Sequence, residues 1–188
     1  MKYMFTAMED LESSCLRCAK CPLAKTRNHV VFGAGNIHAD IMFIGEGPGY
    51  DEDRTGVPFV GKAGKLLDAV FGDIGIRRED VYIGNIVKCR PPGNRNPSEE
   101  EMEACLDHLR NQVMLIKPRV IVLLGSVALK CILGREYYIT KCRGKWVEKR
   151  GIRYMPTYHP AAVLRDESKY DDFVRDLRVV VADSKRNM

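Results

Sequence analysis

The sequence predicts one α/β domain in which a parallel sheet lies between helices. Three observations predict it. Short apolar runs alternate with segments of 3.6-residue periodicity, and the run Val120-Ile121-Val122-Leu123-Leu124-Gly125 is apolar throughout, as a central parallel strand should be. The length of 188 residues suits a single hydrophobic core. The expected organisation is one domain over 1–188.

Taken in order, Ala39-Asp40-Ile41-Met42-Phe43-Ile44-Gly45 reads as a buried strand. Ala63, Leu66, Leu67, Val70 and Phe71 then recur at helical spacing and mark one face of a helix. Val81 to Val87 is the second strand. A helix follows from about Ser98, where Ser98 and Glu101 fit a capping box and Met102, Cys105, Leu106, Leu109, Val113 and Ile116 form the apolar face. Pro118 ends it. After the Val120 strand, Ser126 is positioned to cap a short helix reaching Leu133. Tyr138-Ile139-Thr140 and Lys145-Trp146-Val147 read as weaker strands, before Arg153 to Tyr158 and a last helix carrying Tyr170, Phe173, Val174, Leu177 and Val181.

Composition narrows the function. With 45% hydrophobic and 29% charged residues, the chain is neither disordered nor a disulfide miniprotein, and no apolar run approaches the ~20 residues of a membrane helix. The segment Met1 to Asp10 turns acidic before a signal-peptide core forms, so the expected location is the cytoplasm. Thirty Lys and Arg against 25 Asp and Glu leave +5, which permits a polyanionic partner without requiring one. Gln112 is the only glutamine.

In open parallel sheets, ligands bind beyond the carboxyl ends of the strands. Those ends carry Glu46-Gly47-Pro48-Gly49, Asn85, Gly125-Ser126 and His159-Pro160. A carboxylate, a carboxamide and an imidazole thus follow separate strands, which is how a site is assembled from distant sequence. The Gly-rich turn lacks the Lys-Ser/Thr of a phosphate loop, and its Pro breaks the dinucleotide fingerprint. Alone it is as readily a structural turn, and a lone His159 or Asn85 is more often structural than functional. The joint occurrence favours function.

Seven cysteines are an odd number, and Cys15, Cys18 and Cys21 form two overlapping C-x-x-C pairs ahead of Cys89 and Cys105. Four thiolates suit tetrahedral zinc or a [4Fe-4S] cluster equally. Cys131 and Cys142 read as small buried hydrophobes. Lys88, Arg90 and Arg95 surround Cys89, and a second basic group runs from Lys141 through Arg143, Lys145, Lys149 and Arg150 to Arg153. Such clusters are usually solvated surface, yet a metal-tethered loop could aim the first at phosphates.

With these residues in view, the chain resembles the family 4 uracil-DNA glycosylases, the iron–sulfur type of bacteria and archaea. The resemblance runs from Cys18 to the last helix. It rests on Gly45 to Gly49 followed by Glu52-Asp53, on Thr55-Gly56-Val57-Pro58-Phe59-Val60-Gly61-Lys62-Ala63-Gly64, on Asn85-Ile86-Val87-Lys88-Cys89-Arg90-Pro91-Pro92, and on His159-Pro160-Ala161-Ala162-Val163-Leu164-Arg165. It implies a three-layer α/β/α sandwich with a four-stranded parallel sheet. It also implies a structural [4Fe-4S] cluster on Cys18, Cys21, Cys89 and Cys105 that ties down an N-terminal arm over about residues 1–25, with Cys15 an addition that could substitute for a neighbour.

The implied substrate is uracil-containing DNA, single- or double-stranded, bound by a monomer with no membrane partner; contacts with a sliding clamp or other repair proteins are left open. A glycosylase takes its base out of the stack, and an oriented carboxamide distinguishes uracil from cytosine. Asn85 matches that role, and Phe59 would stack on the flipped ring. Negative charge develops on uracil O2, so His159 is the expected donor there, with the backbone amides of the Glu46-Gly47 turn assisting. Where better-known relatives have an Asp, this chain has Gly47. Glu46 is therefore the first candidate to orient water and Glu52 the second, unless Glu52 walls off the thymine methyl. The family's leucine pair is Val163-Leu164 here, so the wedge filling the vacated stack is either Val163 or Leu164. No lysine occupies a nucleophile position, which predicts a monofunctional enzyme. Two rival readings are a non-catalytic iron–sulfur DNA-binding module and, from Cys15, Cys18 and Cys21 before Pro22, a redox or electron-transfer protein.

Overall fold

The computed structural model describes residues 5–186, so the first four residues of the predicted arm lie outside the described residues. The arm enters through α1 (Met8–Leu16) and a 3-10 turn at Pro22–Lys25. The body then alternates β1 (Ala34–Gly35), β2 (Ile41–Gly45), α2 (Tyr50–Thr55), α3 (Lys62–Ile74), β3 (Tyr82–Asn85), α4 (Glu99–Ile116), β4 (Val120–Leu124) and α5 (Gly125–Ile132). It closes with α6 (Ile139–Cys142), β5 (Val147–Lys149), β6 (Ile152–Thr157), α7 (Pro160–Arg165) and α8 (Tyr170–Arg186).

The sheet has six strands in the order β1-β3-β2-β4-β6-β5. The predicted four parallel strands are its centre, β3-β2-β4-β6, and two short antiparallel strands cap the edges. Edge strands this short leave little unpaired backbone exposed. Alternation within the central strands supplies both layers. Met42, Ile44, Ile121 and Leu123 meet α1, α4 and α5 through Leu11, Leu109 and Leu129. Ile41, Phe43, Val120, Val122 and Leu124 meet α3, α7 and α8 through Leu67, Phe71, Val163, Phe173 and Leu177.

The capping box at Ser98 forms as expected, with Ser98 Oγ accepting from the Glu101 amide and Glu101 accepting from the Ser98 amide. Two expectations do not hold. Ser126 caps nothing, because α5 starts one residue earlier at Gly125, directly off β4. Tyr138-Ile139-Thr140 is not a strand: the Tyr138 carbonyl accepts from the amides of Lys141 and Cys142, giving the single turn of α6. Three residues carry too little periodicity to separate those outcomes. The Lys145-Trp146-Val147 strand is shifted to β5, with Trp146 before it under the Arg153 guanidinium at 4.1 Å. Among the described residues no helix is long and apolar enough to cross a membrane.

Candidate functional site

A cleft of about 490 Å³ opens where the four parallel strands end, lined by Glu46 and Gly47 after β2, Asn85 on β3, Gly125 and Ser126 after β4, and Tyr158 and His159 after β6. Glu52 and Phe59 complete it from the loops around α2. The sheet register brings Gly45 opposite Asn85. A Cβ at Gly45 would lie 2.5 Å from Asn85 Oδ1 and 2.7 Å from the Phe59 ring, so glycine there is what lets the three groups approach.

Phe59 is held under strain. Its φ is 54°, a left-handed conformation that bulky residues rarely adopt, and its ring is 5% exposed. Arg78 Nη1 donates to the Phe59 carbonyl at 2.9 Å and Nη2 to the Pro58 carbonyl, while Asp68 pairs with the same guanidinium at 2.9 Å. A Cβ at Gly64 would overlap the Phe59 carbonyl. Glu52 fixes the loop from the other side: Oε1 accepts from the amides of Val60 (2.9 Å) and Gly61 (2.8 Å), and Oε2 from Gly49 (3.1 Å). Both of its oxygens are engaged in joining the Gly-rich turn to the Phe59 loop.

His159 is the N-cap of α7, and its Nδ1 accepts from the Ala161 amide at 3.1 Å. That bond fixes the tautomer, leaving the proton on Nε2. Burial, with Arg165 adding to it, lowers the imidazole pKa to about 4, so the ring is uncharged at neutral pH. The ring stands 5.6 Å from that of Phe59, tilted by 31°. Gly125, at φ 90°, passes so close that a Cβ would lie 2.9 Å from His159 Cβ. Asn85 is buried, and its Oδ1 has no protein partner among the described residues. Burial raises the Glu46 pKa, and the Arg165 charge works against that shift. Arg165 also lines the cleft. The two members of the wedge pair separate: Val163 is 2% exposed inside the core, whereas Leu164 is 48% exposed.

A second, smaller cavity is lined by Cys15, Cys18, Cys21, Cys89 and Cys105 together with Arg27, Lys88 and His108. All five cysteines singled out by spacing meet there. Arg27 Nη1 donates to the Cys18 carbonyl at 2.8 Å and to Cys89 Sγ at 3.3 Å, and the Lys88 amide donates to Cys105 Sγ at 3.3 Å. Burial pushes the Cys15 thiol up to about 12 and Cys105 to about 11, and raises Cys89. Among the described residues no three His, Cys, Asp or Glu side chains converge on a single-ion position.

The predicted basic clusters are only partly surface. Lys88, read as a candidate phosphate contact, is a buried residue; Arg95 pairs with Glu101 at 2.7 Å, and Arg90 lies over the Tyr50 ring at 5.2 Å. In the second group, Arg143 binds Asp176 and Asp172, and Arg153 binds Asp183. Sequence reasoning missed Arg78, Arg27, Arg165 and His108. Only His108 left a signal, since it stands one helical turn from Cys105 in Cys105-Leu106-Asp107-His108.

Known proteins are similar to this chain in sequence over most of its length. The family described as "Uracil DNA glycosylase superfamily" matches residues 32–180. The chain belongs to the uracil-DNA glycosylase superfamily. It is 48% identical to the Type-4 uracil-DNA glycosylase of Thermotoga maritima over 86% of this chain and 85% of that protein. With the Type-4 uracil-DNA glycosylase of Archaeoglobus fulgidus it shares 44% identity over 93% of this chain and 92% of that one. A Type-5 uracil-DNA glycosylase of Pyrobaculum aerophilum is 30% identical over 81% of this chain and 82% of its own length. The superfamily match takes in Glu46, Glu52, Phe59, Asn85 and His159, and it leaves Cys18 and Cys21 to its N-terminal side.

Proposed function

We infer that this protein is a monofunctional uracil-DNA glycosylase, which takes deoxyuridine out of DNA, hydrolyses its N-glycosidic bond, and leaves an abasic site for base-excision repair. The observation that carries the reading is the buried, unpartnered Oδ1 of Asn85 in a cleft shared with the rings of Phe59 and His159. A buried polar group without a protein partner is costly unless a ligand satisfies it. Uracil does so, its N3–H donating to Oδ1 and its O4 accepting from the amide nitrogen, whereas cytosine offers the opposite pattern at both positions. Phe59, its backbone already strained into place, stacks on the flipped base.

As the C1′–N1 bond breaks, its electron pair leaves on uracil and charge gathers at O2. The His159 Nε2–H is a neutral donor set for that oxygen, and the amides of the Glu46-Gly47 turn assist it. Glu46 orients a water toward C1′ and takes its proton. Glu52 serves as the staple that positions the Phe59 loop, and the exposed Leu164 is the wedge entering the vacated stack. In this reading the enzyme acts as a monomer on single- or double-stranded DNA.

The cysteine cavity fits a [4Fe-4S] cluster held by Cys18, Cys21, Cys89 and Cys105. Thiols distributed around a cavity suit a cluster, in which each iron takes one thiolate, better than zinc, which needs four ligands about one point. The cluster supplies a structural clamp on the arm. The residues around it bind and orient: Arg27 and the Lys88 amide donate to sulfur, and the unpartnered Nε2 of His108 is a further polar group at the cavity wall.

End-labelled DNA holding one uracil tests the function. Incubation with the protein and chelator, then alkali, is expected to break the strand at uracil and to leave a thymine control intact. His159→Ala is expected to slow excision by about 10²–10³, the scale of one lost donor to a developing oxyanion. Equal binding of uracil and thymine DNA without breakage would instead identify a binding module, and reversible reduction without breakage an electron-transfer protein.

A further inference from the structure

Lys88 belongs to the wall of the cysteine cavity, yet its ammonium nitrogen is bonded away from the thiols, toward the strand that carries Asn85. The residue is 1% exposed, among the largest fully buried side chains of the protein. Its Nζ donates to the backbone carbonyl of Asn85 at 2.9 Å and to Gln112 Oε1 at 2.7 Å. Gln112, the only glutamine of the chain, is itself buried, and its Nε2 donates to the Phe32 carbonyl at 2.9 Å and to Tyr82 Oη at 3.0 Å. The Lys88 backbone is fixed as well, its amide to Cys105 Sγ and its carbonyl to the Val31 amide at 2.8 Å. Among the described residues no carboxylate is bonded to Nζ.

Burying an ammonium that pairs with no carboxylate carries a large desolvation penalty, and apolar replacements of buried ionic groups are often neutral or stabilising. Global stability is therefore a poor reason for Lys88. Its bonds suggest a local one. Asn85 is the last residue of β3, and beyond it the sheet contacts are single bonds from the Ile86 and Val87 amides to the Gly45 and Glu46 carbonyls. The peptide that follows Asn85 Cα is held on its buried side by Lys88. Rotation of that peptide would swing the Asn85 Cα–Cβ bond, and the carboxamide with it, in a cleft where recognition depends on hydrogen-bond geometry.

We propose that Lys88 is a positioning residue for uracil recognition. It fixes the Asn85 peptide from behind the sheet, with Gln112 on α4 as its anchor and the cysteine loop as its footing. This rests on the reading of Asn85 as the group that contacts uracil. It assigns a use to a fully buried lysine in the cysteine loop.

The test is Lys88→Met in the purified, cluster-containing protein, since methionine keeps much of the apolar bulk and removes the donor. Three quantities are read beside wild type: binding of free uracil by calorimetry, KM and kcat on uracil DNA, and the visible absorbance of the cluster. The expected result is uracil affinity weakened about tenfold, the scale of a buried carbonyl left without its donor, with KM rising more than kcat falls and the absorbance kept. Gln112→Leu, which leaves Lys88 without its anchor, is expected to weaken uracil binding in the same direction by a smaller factor, and it decides the matter if Lys88→Met does not fold. Unchanged uracil affinity in a folded, brown Lys88→Met protein would overturn the proposal. A wild-type protein that excises uracil normally but loses nothing with Asn85→Ala would overturn the reading of Asn85, and the proposal with it.

Discussion

The cleft and the cysteine cavity are built on opposite plans. Around the cleft, the protein supplies its own restraints: three amides hold Glu52, the Ala161 amide holds His159, and Arg78 holds the strained Phe59 loop. Asn85 Oδ1, by contrast, is left without a protein partner among the described residues. In the cavity the thiols are gathered, but the hydrogen bonds reaching sulfur are those from Arg27 and from the Lys88 amide, and burial opposes ionisation of Cys15, Cys89 and Cys105. A preorganised site needs no reorganisation at the moment of reaction, whereas a cavity of buried thiols draws its stability from whatever binds them. Changes at the cleft should thus alter rate and spare the fold. Changes at the cavity should alter colour and stability first.

Cysteine replacement is the largest expected effect. Cys89→Ala should lose the visible absorbance of the purified protein and lower its melting temperature by roughly 2–4 °C for each kcal/mol of lost tether, read by absorbance and thermal denaturation. Cys15→Ala should keep its colour. The reverse pattern would transfer the ligand role to Cys15. At the cleft, Glu46→Gln should slow excision by about 10²-fold with an unchanged melting temperature. The sign of its pH effect follows from burial: with the Glu46 pKa raised, the carboxylate needed to take the water's proton is lost as pH falls through a value higher than that of a free glutamate. The acid limb of the wild-type rate profile should therefore be shifted upward from that of a free glutamate and vanish in Glu46→Gln. His159, neutral above about 4, should contribute no limb between pH 5 and 8.

The central strands and the major helices were legible because each writes its environment into local sequence. A strand buried on both faces must be apolar throughout, as Val120–Leu124 is, and a capping box sits at a fixed offset, as Ser98 and Glu101 do. The positions after the parallel strands were legible for the same reason, and so was the gathering of the cysteines from their spacing. Roles set by long-range partners were not. Arg78 reads as one more exposed cation until its guanidinium is seen against the Pro58 and Phe59 carbonyls. Lys88 looks like part of a basic surface because its acceptors lie on the Asn85 backbone and on Gln112, 24 residues away. The edge strands β1 and β5 were missed or misplaced since two or three residues carry no period.

Val163 and Leu164 sharpen the contrast within two consecutive residues. The sequence offers either as the wedge, because both are apolar and both follow His159-Pro160. The turn of α7 resolves them: Val163 packs with Leu67, Phe71 and Phe173 in the core beneath the cleft, while Leu164 projects into solvent beside it. Val163→Ala should then destabilise the protein by about 2 kcal/mol through lost burial and a residual cavity, with near-normal excision per folded molecule. Leu164→Ala should change stability by less than about 0.5 kcal/mol, as exposed substitutions usually do. Its effect should appear only where a stack must be refilled. Excision from duplex DNA is expected to fall about tenfold, roughly 1.4 kcal/mol of lost transition-state stabilisation, while excision from single-stranded DNA stays close to wild type. Equal loss on both substrates would mean that Leu164 contacts the flipped nucleotide instead of the gap it leaves.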